Sequence, residues 1–327
     1  MTGAVPTRSG SRLVVVRDLA IVGVLALSLI VFTIGHGPGF LSLRNLSNIL
    51  DAAALVAIFA VGEAVVIMAG AIDLSIAAIA AASGVLAGRL LVEGLPSALV
   101  LLIALFFGAL LGLVNGLLVT ALRLTPLVAT LASLSVFSGL AFILADGRQI
   151  FGVVEFGWLG QQRLWNSITV PTIVMIALVA AVAIFMSQTR WGLRLLAVGG
   201  NLEAARRSGI RVTAYTNGAF VFSGATSALA GCITLGFLTT AEPASATTVI
   251  FQAITAVALG GVALSGGRGS VLRVGIGAVV LSVIATGLLV MAIPPYYALV
   301  ITGVLLVLAV LLEAVLTRVA RKTSEVS

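Results

Sequence analysis

Long runs of apolar residues alternate with short polar stretches along the whole chain. Ten such runs stand out, at roughly 18–35, 50–69, 72–92, 97–121, 126–145, 168–187, 214–238, 248–266, 272–291 and 296–317. Several approach or exceed the ~20 residues that carry a helix across a bilayer. A helix satisfies its own backbone hydrogen bonds, which the bilayer interior requires. The pattern therefore predicts an all-α polytopic membrane protein of about ten transmembrane helices, some of them discontinuous. The second and third runs almost fuse at Gly70, where the chain makes either a sharp turn or a break in mid-membrane. A second glycine-broken pair lies near Gly266 and Gly267, and beyond these two pairs no internal repeat is evident.

Composition supports the same class. The chain is 61% hydrophobic and only 9% charged, whereas a soluble domain is about half apolar and about a quarter charged. Seventeen Arg and Lys322 outweigh 11 acids, giving a net charge of +7. In a soluble protein that balance would suggest nucleic acid. Here its distribution has a topological meaning. With a cytoplasmic N-terminus, 14 basic residues fall on the cytoplasmic side and four (Arg44, Arg89, Arg148, Arg163) on the other. Basic residues concentrate in cytoplasmic loops, so both termini are expected in the cytoplasm. Arg8, Arg12 and Arg17 ahead of the apolar run 19–34 look like a signal peptide, but no small-x-small cleavage site follows, so the run is read as a retained first helix.

One cysteine (Cys232) and one histidine (His36) exclude a disulfide within the chain and leave no Cys/His metal set. Cys232 reads as a small apolar filler and His36 as a solvated residue of a Gly/Pro-rich loop. Glycines at four-residue spacing, Gly108, Gly112 and Gly116 and again Gly84 and Gly88, let helix backbones approach closely in lipid. Packing within the chain accounts for both sets without a dimer seam.

The charge-rich exception is the segment 188–213, which gathers Arg190, Arg194, Glu203, Arg206, Arg207 and Arg211. Within it, "GGNLEAARRSG" reads as a helix of about seven residues, ~10 Å long. Asn201 is an N-cap, Glu203 lies in the first turn and Arg206 and Arg207 in the last, and Gly209 can take the left-handed conformation that ends a helix. So short a helix does not hold itself in water. It either folds back on the membrane surface or docks into another protein as a rigid peg.

"AVGGNLEAARRSGI" resembles the cytoplasmic coupling segment of bacterial ABC importer permeases of the ribose/xylose type, in the branched permease family. "MAGAIDLSIAAIAAASG" (68–84), "NGLLVTALRLTPLVATLASLSVFSGLAFILADGRQI" (115–150) and "AITAVALGGVALSGGRGSVLRVGIGAVVL" (253–281) resemble further blocks of that family, in the same order. The resemblance implies one permease domain over 18–317, flanked by cytoplasmic tails 1–17 and 318–327. It also implies an ATPase-coupling helix carried by Gly199, Gly200, Asn201, Glu203, Ala204, Ala205, Arg206 and Gly209. The implied partners are cytoplasmic ABC ATPase subunits, an external solute-binding protein docking on the face of the 146–167 loop, and a second permease copy or relative around a central path. The implied cargo is a monosaccharide or related polyol, and the implied location is the bacterial plasma membrane. ATP and Mg would belong to the partner subunit, with no cofactor and no catalysis in this chain. The sequence agrees in lacking a Gly-x-x-x-x-Gly-Lys-Ser/Thr phosphate loop, since its one lysine is Lys322.

Polar residues inside spans are costly in lipid and face the bundle interior or a pathway. The candidates are Glu63, Asp73, Ser75, Asn115, Asn217 and Gln252. Asp73 is expected to cap a half-helix starting at Leu74. Glu63 is a pathway candidate, or else a protonated side chain bonded to nearby backbone. Asn115 and Gln252 suit interhelical hydrogen bonds, and Phe137, Phe142 and Phe251 offer apolar faces. The chain departs from the family pattern at Ile250-Phe251-Gln252, where Glu-Leu-Asp is frequent, at Ala77 in place of a Gly, and in "TGLLVMAIPP". A nucleoside or branched-chain amino-acid permease, or a secondary transporter or channel working without an ATPase, remains open on these residues alone.

Overall fold

A computed structural model describes residues 8–164 and 168–325. Among them the apolar runs become helices in the expected order: α1 (Arg8–His36), α2 (Leu43–Met68), α3 (Ile76–Val92), α4 (Ser97–Thr120), α5 (Pro126–Leu144), α6 (Gly157–Gly160), α7 (Val170–Gln188), α8 (Arg190–Gly200), α9 (Leu202–Arg207), α10 (Val212–Leu238), α11 (Thr248–Leu259), α12 (Val271–Val290) and α13 (Tyr296–Glu325). Four two-residue strands, β1 (Ile150–Phe151), β2 (Arg163–Leu164), β3 (Ile168–Thr169) and β4 (Thr240–Ala241), pair antiparallel as β1 with β4 and β2 with β3. The fold is thus mostly helical rather than purely so.

Among the described residues, seven helices are long and apolar enough to cross a membrane: α2, α4, α5, α7, α10, α12 and, in α13, Tyr296–Val315. Shorter apolar helices cover Ile21–His36 within α1, and α3 and α11. Of the ten expected spans, seven are such helices, and the other three coincide with Ile21–His36 of the longer α1 and with the short helices α3 and α11. The reason for α3 and α11 is local, since each is half of an interrupted pair. Gly70 turns the chain at φ +88° after α2, and Gly261, Gly266 and Gly267 all have positive φ between α11 and α12. Only glycine adopts such angles without steric cost. The run 248–266 is accordingly helical only to Leu259. Helix α1 begins at Arg8 and α13 continues to Glu325, while residues 1–7 and 326–327 lie outside the described residues.

Caps fix several boundaries. Ser42 accepts from the Asn45 N–H at the start of α2. Pro126 opens α5, where a missing N–H costs nothing, and Thr169 accepts from Thr172 N at the start of α7.

Helices α2 and α10 form the centre. From Ala57 to Met68 every residue of α2 is buried, and α10 packs most extensively on α4, then on α2 and α3. The α4–α10 contact is made by backbone. A Cβ on Gly112 would overlap the Phe220 carbonyl oxygen, and one on Gly224 would overlap that of Gly108. A Cβ on Gly84 would lie 3.2 Å from the Gly231 carbonyl oxygen, between α3 and α10. Both glycine series thus close helix contacts within the chain. Helix α13, by contrast, shows Val300, Val304, Val307, Leu308 and Leu311 to its surroundings, as suits a lipid-facing helix.

Loop contacts sort the connections into two groups at opposite ends of the bundle. At one end Arg89, on the last turn of α3, reaches Asp146 at 3.5 Å and the Leu144 carbonyl at 3.1 Å. There too β1 pairs with β4, and Gln149 donates to Glu242. At the other end lie the α2–α3 break, the α8–α9 unit and the α11–α12 break. Gly267 N donates to Met68 O at 3.0 Å, and Leu264 N to Glu313 Oε2 at 3.4 Å.

Candidate functional site

The charged segment after α7 is built as two helices. Sequence reading finds the second and treats the first as loop. Helix α8 forms because Thr189 caps it, accepting from Gly192 N at 3.2 Å, and because Gly192, Leu195 and Val198 share a buried face. Trp191 packs between Phe185 and Tyr215, with ring centroids 5.4 and 5.8 Å away. Gly199 and Gly200, grouped with the coupling helix above, close α8 instead. Helix α9 follows at once: Asn201 Oδ1 accepts from Ala204 N at 2.9 Å, Glu203 lies in the first turn, and Arg206 and Arg207 lie in the last. Gly209 has φ +78°, the left-handed C-terminal conformation. Glu203 accepts from Arg207 Nε at 3.1 Å, one turn on. The six-residue helix is held from beneath, where Ala205 is buried with Val198 and Val212, backed by Ile210 and Tyr215. Leu202, Glu203, Ala204, Arg206 and Arg207 remain exposed on its outer surface.

The end of α8 touches both helix breaks through backbone alone. A Cβ on Gly199 would overlap the Met68 carbonyl oxygen and lie 2.8 Å from Gly267 N. One on Gly266 would lie 2.8 Å from Gly70 Cα, and one on Gly267 would overlap Gly200 Cα. Three chain segments therefore meet at a junction where no side chain intervenes.

The intramembrane polar residues fall into three places. Glu63, Asp73, Ser75 and Asn115 are fully buried together, and Ser223, not singled out by its sequence context, joins them. Asp73 Oδ1 accepts from Ser75 N at 3.0 Å, from Ser75 Oγ at 2.7 Å and from Asn115 Nδ2 at 3.3 Å. Asp73 Oδ2 accepts from Ser223 Oγ at 3.0 Å. Asn115 Nδ2 also donates to Ser75 Oγ at 2.7 Å, and Asp73 N donates to Glu63 Oε1 at 3.1 Å. Asp73 thus holds the approach to α3, which starts at Ile76 rather than at Leu74 because the carboxylate takes up the Ser75 amide. The cluster ties α2, α3, α4 and α10 together. Asn217 stands apart at the α4–α10 contact, accepting from Thr120 Oγ1 at 2.8 Å.

Gln252 is the third case, in the wall of a 260 Å³ cavity with Leu55, Phe59 and Thr302. Val249, Leu55 and Phe59 also line a second 260 Å³ cavity beside α3 and α10. A larger cavity of 660 Å³ shares Ala52 and Leu55 with the first and opens at the end of the bundle bearing β2 and β3. Its polar wall includes Asn45, Asn48, Asp51, Gln161, Arg163 and Thr169, none of which the sequence singled out as binding residues. The available signal was the recurrence of polar side chains at Asn45, Asn48 and Asp51 on the first three turns of α2. Phe137 is buried, Phe142 and Phe251 are exposed, and Ile250 is buried.

Among known proteins, the family described as "Branched-chain amino acid transport system / permease component" matches residues 45–310. The ribose import permease protein of Bacillus subtilis (strain 168) is 36% identical over 84% of this chain and 86% of its own length. The fructose import permease protein of Rhizobium meliloti is 32% identical over 91% and 85%. The D-allose transport system permease protein of Escherichia coli (strain K12) is 30% identical over 90% and 91%. No solved structure matches. With the match running from the start of α2 into α13, and with relatives aligned over most of both lengths, the chain belongs to the family of branched-chain amino acid transport system permease components, multi-pass proteins of the bacterial inner membrane.

Proposed function

We propose that this chain is the membrane permease of an ABC importer for a monosaccharide, driven by separate ATPase subunits that seat on α9 and fed by an external binding protein. The sugar class rests on relatives named for ribose, fructose and allose import. The coupling role rests on one observation: the α8–α9 unit offers a small, rigid, exposed helix outward and meets both helix breaks inward through Gly199, Gly200, Gly266 and Gly267. A push on α9 therefore reaches the interruptions between α2 and α3 and between α11 and α12 with no compliant side chain between. Nucleotide-driven closure of the ATPase pair would switch access by moving these half-helices.

In this reading α1 and the short helices α3 and α11 also cross the bilayer, giving ten crossings with both termini in the cytoplasm. The loop groups described above fit that alternation. A second permease copy or a relative completes the assembly, and ATP and Mg belong to the partner subunits.

The test is uptake by the reconstituted assembly. Glu203→Arg reverses the charge at the start of α9 against the helix dipole and removes the Arg207 partner. Gly200→Pro places a ring where α8 meets Gly267. Both variants are expected to reach the membrane and to lose ATP-driven uptake. Normal uptake in either one refutes the coupling role.

A further inference from the structure

Helix α11 is too short to cross a membrane alone. Its 12 residues rise ~18 Å, against ~30 Å of hydrocarbon. The nine residues 239–247 that join α10 to α11 make up the difference without helix. They start at the end of the bundle that the importer reading places outside, where Thr240 and Ala241 pair with β1. One contact fixes how deep they go. Ser245 Oγ lies 3.0 Å from Ser138 Oγ, and Ser138 stands six residues before the last residue of α5, or ~9 Å along that helix. The chain therefore dips into the membrane before α11 begins.

Irregular backbone at that depth cannot face lipid, where its free polar groups have nothing to bond. Such groups are present here. Among the described residues, neither the Ser245 N–H nor the Ala246 N–H finds an acceptor. Nor does the chain cover them from outside. Ala244, Ala246, Thr247 and Thr248 are exposed, and so is Phe251 near the start of α11. Ser135, about one turn before Ser138 on α5, adds another exposed hydroxyl. Behind the segment the packing is open too, since Ala244 and Ala246 wall the 260 Å³ cavity together with Ala80 and Gly231. A lipid-facing surface looks different. Along α4, Leu99, Leu102, Phe106 and Leu110 form an apolar stripe on regular helix.

We propose that residues 242–248 line a water-filled solute path, on a face of this chain that a second permease copy closes. The proposal rests on the permease reading and gives that path wall residues. Free amides donate, and the hydroxyls of Ser135, Ser245, Thr247 and Thr248 both donate and accept. A neutral polyhydroxy solute passing them exchanges its water for matching groups. The exposed side of the segment points out of this chain, so the facing wall comes from the second copy.

The test uses the permease–ATPase assembly in proteoliposomes, with single cysteines as reporters. Ala246→Cys and Thr247→Cys report on the segment. Leu102→Cys is the lipid-facing control, five residues into α4, or ~8 Å from its end. The native Cys232 is fully buried, so an aqueous maleimide reads the introduced residue. Labelling by a bulky maleimide is timed without nucleotide, with ATP, and with ATP and vanadate. Both segment cysteines are expected to react at least tenfold faster than Leu102→Cys in at least one of these states. Import of D-ribose, D-fructose and D-allose is measured for the unaltered assembly with its binding protein, and for each segment variant before and after labelling. The label is expected to cut import of the carried sugar at least tenfold while ATP hydrolysis continues. Labelling no faster than the control in every state, with import by the unaltered assembly intact, overturns the placement and leaves the permease reading standing. Fast labelling that leaves import unchanged shows a wetted surface off the path and overturns the lining role. Import of none of the three sugars by the unaltered assembly overturns the sugar-permease reading, and the assignment of this segment to a sugar path with it.

Discussion

At the scale of single residues, the interior is governed by two opposite demands. Glycine is needed where backbones touch, and hydrogen-bond donors are needed where the Asp73 carboxyl is buried. Gly112 shows the first. A side chain there runs into the Phe220 carbonyl, so α4 and α10 would have to separate. Gly112→Leu is expected to destabilise the protein by more than the ~1–3 kcal/mol of ordinary overpacking. Thermal unfolding in mild detergent should show a lowered midpoint. Gly139, on α5, has open space around a would-be Cβ, and Gly139→Ala should leave the midpoint unchanged or raise it, since alanine favours a helix by up to ~1 kcal/mol. Asp73 shows the second demand. Its two oxygens take four donors from Ser75, Asn115 and Ser223. Asp73→Asn turns one acceptor into a donor facing donors and is expected to cost several kcal/mol. Ser223→Ala removes a single buried hydrogen bond and should cost about 0.5–1.5 kcal/mol. Equal unfolding midpoints for these two variants would refute the account of Asp73 as the centre of the cluster.

At the scale of elements, the unit that matters is α8 with α9. Helix α9 is too short to persist alone, and its stability comes from Asn201, from Ala205 seated on Val198 and Val212, and from the close of α8 at Gly200. Asn201→Ala is expected to cost about 1 kcal/mol at this cap. That is enough to loosen the exposed surface without unfolding the bundle, so ATPase binding should weaken while the unfolding midpoint barely moves. Gly199→Ala acts differently. The methyl group meets the Met68 carbonyl and separates α8 from both helix breaks. The expected result is an assembly that still binds its ATPase and hydrolyses ATP but imports less solute per ATP. Unchanged coupling in Gly199→Ala would show that the backbone junction does not transmit the motion.

At the scale of the whole molecule, the question is which end faces which compartment. In the proposed reading the distribution of arginine puts α8 and α9 on the cytoplasmic side. The fold then places the large cavity at the opposite end, because Arg163 and Asp51 meet there while Gly199, Met68 and Gly267 meet at the other. Two single-cysteine reporters check this in intact cells. Asn48→Cys should react with an impermeant maleimide added outside, and Ser208→Cys should react only after the cells are opened. Labelling of both from one side would break the alternation of crossings on which the importer reading depends.

The sequence by itself determined the class, the helix order and the position of the short capped helix α9. These rest on local signals: runs of apolar residues, the placement of arginine, and a cap, a dipole and a terminating glycine within the nine residues from Asn201 to Gly209. It also marked both breaks, since a glycine at positive φ is a local demand. What it left open depended on residues far apart in the chain. Glu63, Asp73 and Asn115 were visible as polar residues in spans, but that they share one buried cluster, completed by an ordinary serine at 223, follows from four helices meeting. The junction of Gly70, Gly199 and Gly267 joins segments about 70 to 200 residues apart. The pairing of Asp51 with Arg163 spans more than 100 positions and brings a polar turn of α2 against a loop that reads as unremarkable. Periodicity along a chain reports which face of a helix is apolar. Only packing decides which faces meet, and it is there that the junction, the buried cluster and the cavity were made.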